Sequence, residues 1–242
     1  MLNKNYPLPI YYQLKELIRE KIVAREWQPG DLIPSERELS EQYDISRMTA
    51  RQALTELTNE GLLHRVQGKG TFVAEPKIEQ PLTRLTGFTE DMRMRGVQSK
   101  GHVLRLELVA SPTLVLRALR IMPNQPVVLL ERLRLTGADP IALEACYLHF
   151  NRVQSLMQEN FEGISLYNLL IEKYDITPTR AEQQVGADLC SRREQELLNI
   201  AKGSPVLRNK RVAFDQRGQP FEYTESAYRA DRYVFQAELV AL

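Results

Sequence analysis

Residues able to do chemistry gather in two stretches of the chain. In the first, Arg47, Arg51 and Thr55 recur at i, i+4 and i+8, with Ser46 and Thr49 beside them. On a helix these spacings share one face. The free amides at such a helix start attract phosphate, and arginines reach phosphates or guanine edges. Arg37 opens a preceding helix, and Lys69 sits between Gly68 and Gly70, which allow close backbone approach. In the second stretch, Arg132 and Arg134 are two apart, so on a strand they point the same way. An antiparallel return around Gly137-Ala138-Asp139 sets Arg132 opposite Glu144. Buried charge needs a partner, and paired arginines match phosphate geometry. The partner is Glu144 alone, or a bound anion as well. Farther on, Glu222, Thr224, Ser226 and Tyr228 alternate as a polar row suited to a polyhydroxy ligand. Ser165-Leu166-Tyr167 and Thr86-Gly87-Phe88-Thr89 each open a helix with hydroxyls and free amides, which either cap it or hold an anion.

Periodicity gives the elements that must position these residues. Before about residue 75 the apolar spacing is helical; after it, strand-like alternation dominates. Ile10, Leu14, Leu17, Ile18 and Ile22 form one face of a first helix, with Pro9 in its first turn and Pro29-Gly30 beyond its end. Ser35 and Glu38 form a capping box for a second helix ending near Tyr43. A third, over 46–60, carries the buried stripe Ala50, Ala53, Leu54 and Leu57, with Gly61 as its stop. Short strands over 62–66 and 71–73 flank the turn Gln67-Gly68-Lys69-Gly70. Three helices and a hairpin predict a winged helix-turn-helix over 1–74. The segment 75–81, with two prolines and three charges, predicts an extended linker. Residues 82–242 predict an α+β domain with an antiparallel sheet. Its helices fall over 86–95, 165–174 and 191–200. Its strands fall over 102–109, 127–135, 141–150, 180–188, 206–214, 221–229 and 233–240. Leu104, Leu106 and Leu108 are expected on one face, and Phe221, Tyr223 and Ala227 opposite the polar row.

The 242 residues, 43% hydrophobic and 26% charged, suffice for a core and exclude disordered, collagen-like and coiled-coil classes. No apolar run nears the ~18 residues of a membrane helix. The first residues lack a signal-peptide core. A cytoplasmic protein without a membrane partner is therefore expected. Cys146 and Cys190 stand in neither metal nor redox spacing. With a net charge of +1, any nucleic-acid reading rests on local charge. Residues 1–75 hold ten basic and eleven acidic residues, but residues 46–70 hold four and two. His64, His102 and His149 are scattered, so no catalytic residue, metal or cofactor is expected. An enzyme and a ligand-free architectural DNA binder are the alternatives.

Signature runs add a resemblance. They are Leu32-Ile33-Pro34-Ser35-Glu36-Arg37-Glu38-Leu39, Ser46-Arg47-Met48-Thr49-Ala50-Arg51-Gln52-Ala53-Leu54, Leu57 with Glu60-Gly61-Leu62-Leu63, and Gln67-Gly68-Lys69-Gly70-Thr71-Phe72-Val73. Together they resemble the DNA-binding domain of the GntR family of bacterial transcription regulators. The resemblance implies a homodimer on a roughly palindromic operator in double-stranded DNA. It implies that Arg37, Arg47 and Arg51 contact phosphates and bases, and that Ser46, Thr49, Gln67, Gly68 and Lys69 assist at the recognition helix and wing. Met48 holds a variable position.

Leu85-Thr86-Gly87-Phe88-Thr89-Glu90-Asp91-Met92, Arg132-Leu133-Arg134, Pro140-Ile141-Ala142-Leu143-Glu144, Ser165-Leu166-Tyr167, Phe221-Glu222-Tyr223 and Tyr228-Arg229-Ala230-Asp231-Arg232-Tyr233 resemble the effector domain of HutC-type members. That implies a chorismate-lyase-like fold, an antiparallel sheet with flanking helices and a ligand cleft on one face. Within the group the chain is most similar to N-acetylglucosamine-utilisation repressors. There the positions of Gly87, Phe88, Thr89, Arg132, Arg134, Ser165 and Tyr167 hold a phosphate, and those of Glu144, Glu222 and Tyr228 face the sugar. Gly87 replaces a common serine and so removes one hydroxyl contact. The implied function is a regulator, a repressor, reset by a small anionic metabolite such as N-acetylglucosamine 6-phosphate. Another sugar phosphate, a phosphonate or a histidine catabolite is the alternative.

Overall fold

A computed structural model describes residues 2–3, 6–66, 68–161 and 163–240. The chain divides into two units, Met1–Lys77 and Ile78–Leu242.

The first unit contains helices α1 (Ile10–Val23), α2 (Glu36–Tyr43) and α3 (Arg47–Asn59), then strands β1 (Leu63–Val66) and β2 (Gly70–Val73). The capping box forms as expected: Ser35 accepts from the Glu38 amide, and Glu38 reaches back to the Ser35 amide at 2.7 Å. Asp44, in the left-handed region, ends α2, and Ser46 caps α3 by accepting from the Thr49 amide. The expected stripe Ala50, Ala53, Leu54 and Leu57 is buried against Leu14, Ile18, Ile33, Leu39, Leu63 and Val73. A buried lysine on α1 adds to this: Lys15 donates to Glu56 of α3 and to Glu60 just past its end, each at 3.1 Å. The β1–β2 hairpin is braced by 30–33, where Ile33 donates to the Thr71 carbonyl and Gly30 to that of Val73. Gly70 is required there. Its φ is +127°, and a Cβ would lie 2.6 Å from Leu32 Cδ1.

The second unit begins with β3 (Ile78–Pro81) and α4 (Phe88–Met94). It continues through β4 (Ser99–Ala110), α5 (Thr113–Leu119), β5 (Pro126–Thr136) and β6 (Asp139–His149). After two 3₁₀ turns come α6 (Leu166–Tyr174), β7 (Pro178–Leu189), α7 (Arg192–Leu198), β8 (Pro205–Asp215), β9 (Pro220–Arg229) and β10 (Tyr233–Gln236). Six strands form one antiparallel sheet in the order β4-β5-β6-β9-β8-β7. The α+β expectation holds.

Three local expectations change. The second half of the expected linker, Ile78–Pro81, is a strand, paired in parallel with β10. Leu104, Leu106 and Leu108 do not share one face: the register shifts between Val103 and Arg105. The bulge turns Leu104 toward Leu143 and Leu198, while Leu106 joins the core on the other face and Leu108 is exposed. Phe221 also leaves its expected face. The β8–β9 pairing passes from Ala213↔Glu222 to Phe214↔Pro220 and skips it, and its ring packs edge-on to Tyr167 at 6.1 Å.

Candidate functional site

In the first unit, α2, α3 and the hairpin form one concave face. It is lined by Ser35, Glu36, Arg37, Arg47, Arg65 and Lys69, with Gly68 beside them. Arg37, Arg47, Arg51 and Lys69 are exposed. Arg47 and Lys69 have no ion pair among the described residues, while Arg37 lies 3.9 Å from Glu41. Arg51 stands 3.7 Å from Glu36. Arg65, which the sequence did not single out, donates to Thr55 at 3.1 Å and to Glu36 at 3.4 Å. Ser46 and Thr49 bond each other at 2.8 Å and close the first turn of α3. Gln67 lies outside the described residues. Exposed guanidinium and ammonium groups at a helix start and a hairpin tip suit a phosphate backbone and groove edges.

In the second unit the chemistry lies on one face of the sheet. The register pairs Arg132 with Glu144, as the sequence predicts, and Arg134 with Ala142. Arg132 Nη2 donates to Glu144 Oε1 at 2.6 Å; the two residues are each 4% exposed. Arg134, 2% exposed, donates to Thr89 Oγ1 at 2.7 Å and lies 4.5 Å above the Phe88 ring. It has room because the facing residue is glycine: a Cβ on Gly101 would come within 2.9 Å of Arg134 Nη1. From α6, Tyr167 donates its hydroxyl to Glu222 Oε2 at 2.7 Å, and the Ser165 hydroxyl accepts from the Asn168 amide. Gly87, Phe88, Thr89, Arg132, Arg134, Glu144, Ser165, Tyr167 and Glu222 line one cavity. Tyr228 does not line it; its ring packs 4.4 Å from that of Tyr233.

Sequence reasoning missed a third arginine. Arg211 of β8 lines the same cavity, 5.7 Å over the Tyr167 ring. Nothing local marks it, because its place follows from pairing with Thr224 of β9.

The electrostatics are unbalanced: three guanidinium groups meet two carboxyl groups. Burial raises the Glu144 pKa, but Arg132, Arg134 and Arg211 outweigh it and hold it down to about 2. Burial, then the neighbouring Arg132, lowers Arg134 to about 10. Burial and the Glu144 charge push the Tyr228 phenol up, so it stays protonated. Arg132 Nε and Nη1, Arg134 Nε and Arg211 Nε are buried with no hydrogen-bond partner. Unpaired donors on buried cations carry a large desolvation cost, which an anion would offset. The cavity volume is only about 10 Å³, far below the ~300–1,000 Å³ of ordinary ligand pockets, so its walls must part to admit a metabolite. A roomier cleft on the opposite sheet face is lined by Glu131, Glu194, Arg208 and Lys210. Its charges are already matched: Arg193 forks onto Glu131 at 2.5 and 2.7 Å, and Arg208 onto Glu194. Of the two, the narrow cavity is the one whose buried arginines keep unpartnered N–H groups.

With both sites in view, the comparisons decide the family. Residues 10–73 match the family described as bacterial regulatory proteins, gntR family, and residues 94–234 match the UTRA domain. The chain is 41% identical to the HTH-type transcriptional repressor NagR of Bacillus subtilis (strain 168) over 235 residues, 97% of this chain and 96% of that protein. The chain belongs to the GntR family and carries a UTRA domain. A second GntR relative, the mannosyl-D-glycerate transport/metabolism system repressor MngR of Escherichia coli (strain K12), is 31% identical over 94% of each chain. The crystal structure of PhnF from Mycobacterium smegmatis superposes with a TM-score of 0.67 at 30% identity, covering 96% of this chain and 99% of that one. The first unit of this GntR protein is thus a DNA-binding domain of a transcription regulator. No helix among its described residues is long and apolar enough to cross a membrane.

Proposed function

We propose that the chain is a cytoplasmic repressor that binds a palindromic operator as a homodimer and releases it when a small anionic metabolite occupies the second unit. The metabolite is an amino-sugar phosphate such as N-acetylglucosamine 6-phosphate. The carrying observation is the cluster of Arg132, Arg134 and Arg211 with unpartnered buried N–H groups beside the hydroxyls of Thr89, Ser165 and Tyr167. In this reading Arg132 and Arg134 hold the phosphate, with the amides and side chains at Gly87, Phe88 and Thr89, and with Ser165 and Tyr167. Arg211 adds to that charge. Glu144, Glu222 and Tyr228 face the hydroxyl and amide groups of the sugar. Likeness to repressors, one of them named for a sugar derivative that carries a carboxylate, supports the ligand class.

On the DNA side, Arg37, Arg47 and Arg51 contact phosphates and base edges. Ser46 and Thr49 set the start of α3, and Gln67, Gly68 and Lys69 follow the groove. Ligand opens the narrow cavity and shifts the population toward a dimer whose two reading heads no longer match the operator half-sites. The separation of roles by domain, the first unit for DNA and the second, entered through β3, for effector and dimerisation, belongs to the same proposal. Fluorescence anisotropy on the DNA upstream of the chain's own gene tests it. Release by millimolar or lower N-acetylglucosamine 6-phosphate is expected. Tight binding without release by this or other sugar phosphates would sink the effector assignment.

A further inference from the structure

Two apolar clusters share the site face of the sheet. One packs under α6 and includes Leu130, Cys146, Leu148 and Ala213; the other packs with α4 and β10 and includes Ala142 and Tyr228. A polar lane separates them. Pairing across four strands sets Arg132, Glu144, Ser226 and Asn209 in one row, Arg132↔Glu144, Glu144↔Ser226 and Asn209↔Ser226. Residues paired in this way project from the same face. All four are buried, Ser226 at 5% and Asn209 at 4% exposure. Both also border the cleft on the opposite face. Alternation sends the side chains of their neighbours Arg208, Lys210, Glu225 and Ala227 there, and those of Ser226 and Asn209 to the site face.

The near end of the lane is paired, Arg132 to Glu144. The far end is not. Asn209 Oδ1 is buried with no hydrogen-bond partner, and Ser226 Oγ has none of full hydrogen-bond geometry, only a weak interaction with the Tyr228 hydroxyl. Buried polar groups normally find partners, and an unmet one lowers stability. On the same face of β8, Asn209 is flanked by Leu207, in the second apolar cluster, and by Arg211, whose guanidinium reaches the cavity over Tyr167.

We propose that Ser226 and Asn209 form an uncharged subsite continuous with Glu144, which receives a hydrogen-bond donor of the effector, an amide N–H or a hydroxyl, at the end of the row away from Arg132 and Arg134. The proposal rests on the reading that Arg132 and Arg134 hold that anion. The amide oxygen of Asn209 only accepts, so it calls for an N–H or O–H; the Ser226 hydroxyl gives or takes. From Arg132 to Asn209 the lane crosses three strand spacings, about 14 Å. A bare anion fills only its near end. A substituted sugar phosphate reaches farther along it, and this subsite selects among such compounds.

The test uses the full chain and two probes, inorganic phosphate and N-acetylglucosamine 6-phosphate, by titration calorimetry. Wild type should bind the sugar phosphate more tightly than phosphate. Ser226→Ala and Asn209→Ala should each weaken the sugar phosphate about threefold to tenfold, the loss of one neutral hydrogen bond. Phosphate affinity should stay within twofold. Ser226→Ala should also leave the unfolding temperature of the free protein unchanged or raised, because the lost hydroxyl had no partner of full hydrogen-bond geometry. A fall in that temperature would show the hydroxyl satisfied within the fold and overturn the subsite. So would equal weakening of both probes, no weakening of either, or a wild type that binds the sugar phosphate no better than phosphate. If wild type binds neither probe, the anion site itself fails, and the subsite with it, before any variant is needed.

Discussion

The two units use arginine in opposite ways. On the reading face, Arg37, Arg47 and Arg51 are exposed, and the acid near Arg51, Glu36, stands 3.7 Å away. In the second unit, Arg132 and Arg134 are almost wholly buried, and the Arg132 partner, Glu144, is 2.6 Å away and equally buried. Water already solvates an exposed cation, so its partner contributes little, and a DNA phosphate displaces water and counterions when it arrives. A buried cation depends on its partner, and an arriving anion supplies bonds that the fold leaves unmade. In the proposed function, one surface serves salt-dependent contact with a polymer, the other selective capture of a small charge.

Removing one member of each pair tests this contrast most severely. Glu144→Ala strands Arg132 in the core and should cost about 3–5 kcal/mol in the urea transition of the second unit. Glu36→Ala should cost at most about 1 kcal/mol. Similar losses would erase the distinction. Next in size, Arg134→Ala should abolish release by the sugar phosphate while operator affinity holds within about twofold, since it belongs to the second unit; a collapse of operator binding would break the division of labour. Arg47→Ala should do the converse. It should weaken operator binding by about 1–3 kcal/mol and make the salt dependence shallower by about one charge, with the ligand affinity unchanged. Gly101→Ala should act more gently, because the new methyl pushes a guanidinium rather than backbone: sugar-phosphate affinity falls by about 1 kcal/mol and operator affinity is untouched. The smallest effect is in pH. Glu144 is held to about 2, below its usual value, so its pairing contributes fully above the ordinary carboxylate range. That contribution is lost only as pH falls through that range toward 2. Between pH 6 and 8 stability should therefore be flat in this respect, while affinity for a phosphomonoester rises as its second proton, near pKa 6, is released. A stability change in that window would place the titrating group elsewhere.

What the sequence revealed follows the range of the signals. The capping box at Ser35 and Glu38 and the stripe along α3 are encoded within one or two turns, and the structure matches them. The pairing of Arg132 with Glu144 was legible because a short turn and strict alternation fix a hairpin register. The bulge at Leu104 breaks that alternation, so the apolar pattern assigned Leu104 and Leu106 to one face wrongly. Helix α5, seven residues behind Pro112, is too short to show a period. Strand β3 reads as linker because Pro76 precedes it and Pro81 ends it, and its partner lies at the far end of the chain. Arg211 and the row ending in Asn209 depend on which strands are neighbours, information that no local pattern contains.

The parallel pairing of β3 with β10 bears on modularity. It lays the entry strand of the second unit beside the last strand, with Tyr233 next to Ile78 and Gln236 next to Pro81. The points where the unit begins and where its last strand finishes are thus about 10 Å apart, three residues of strand. A domain whose ends meet behaves as a cassette. A junction at Lys77 and Ile78 would graft it onto another reading head, and a linker of a few residues would join Gln236 back to Ile78 in a circular permutant. The same economy suits recombination: a new sensor can be exchanged for an old one at a single seam, without rebuilding the part that touches DNA.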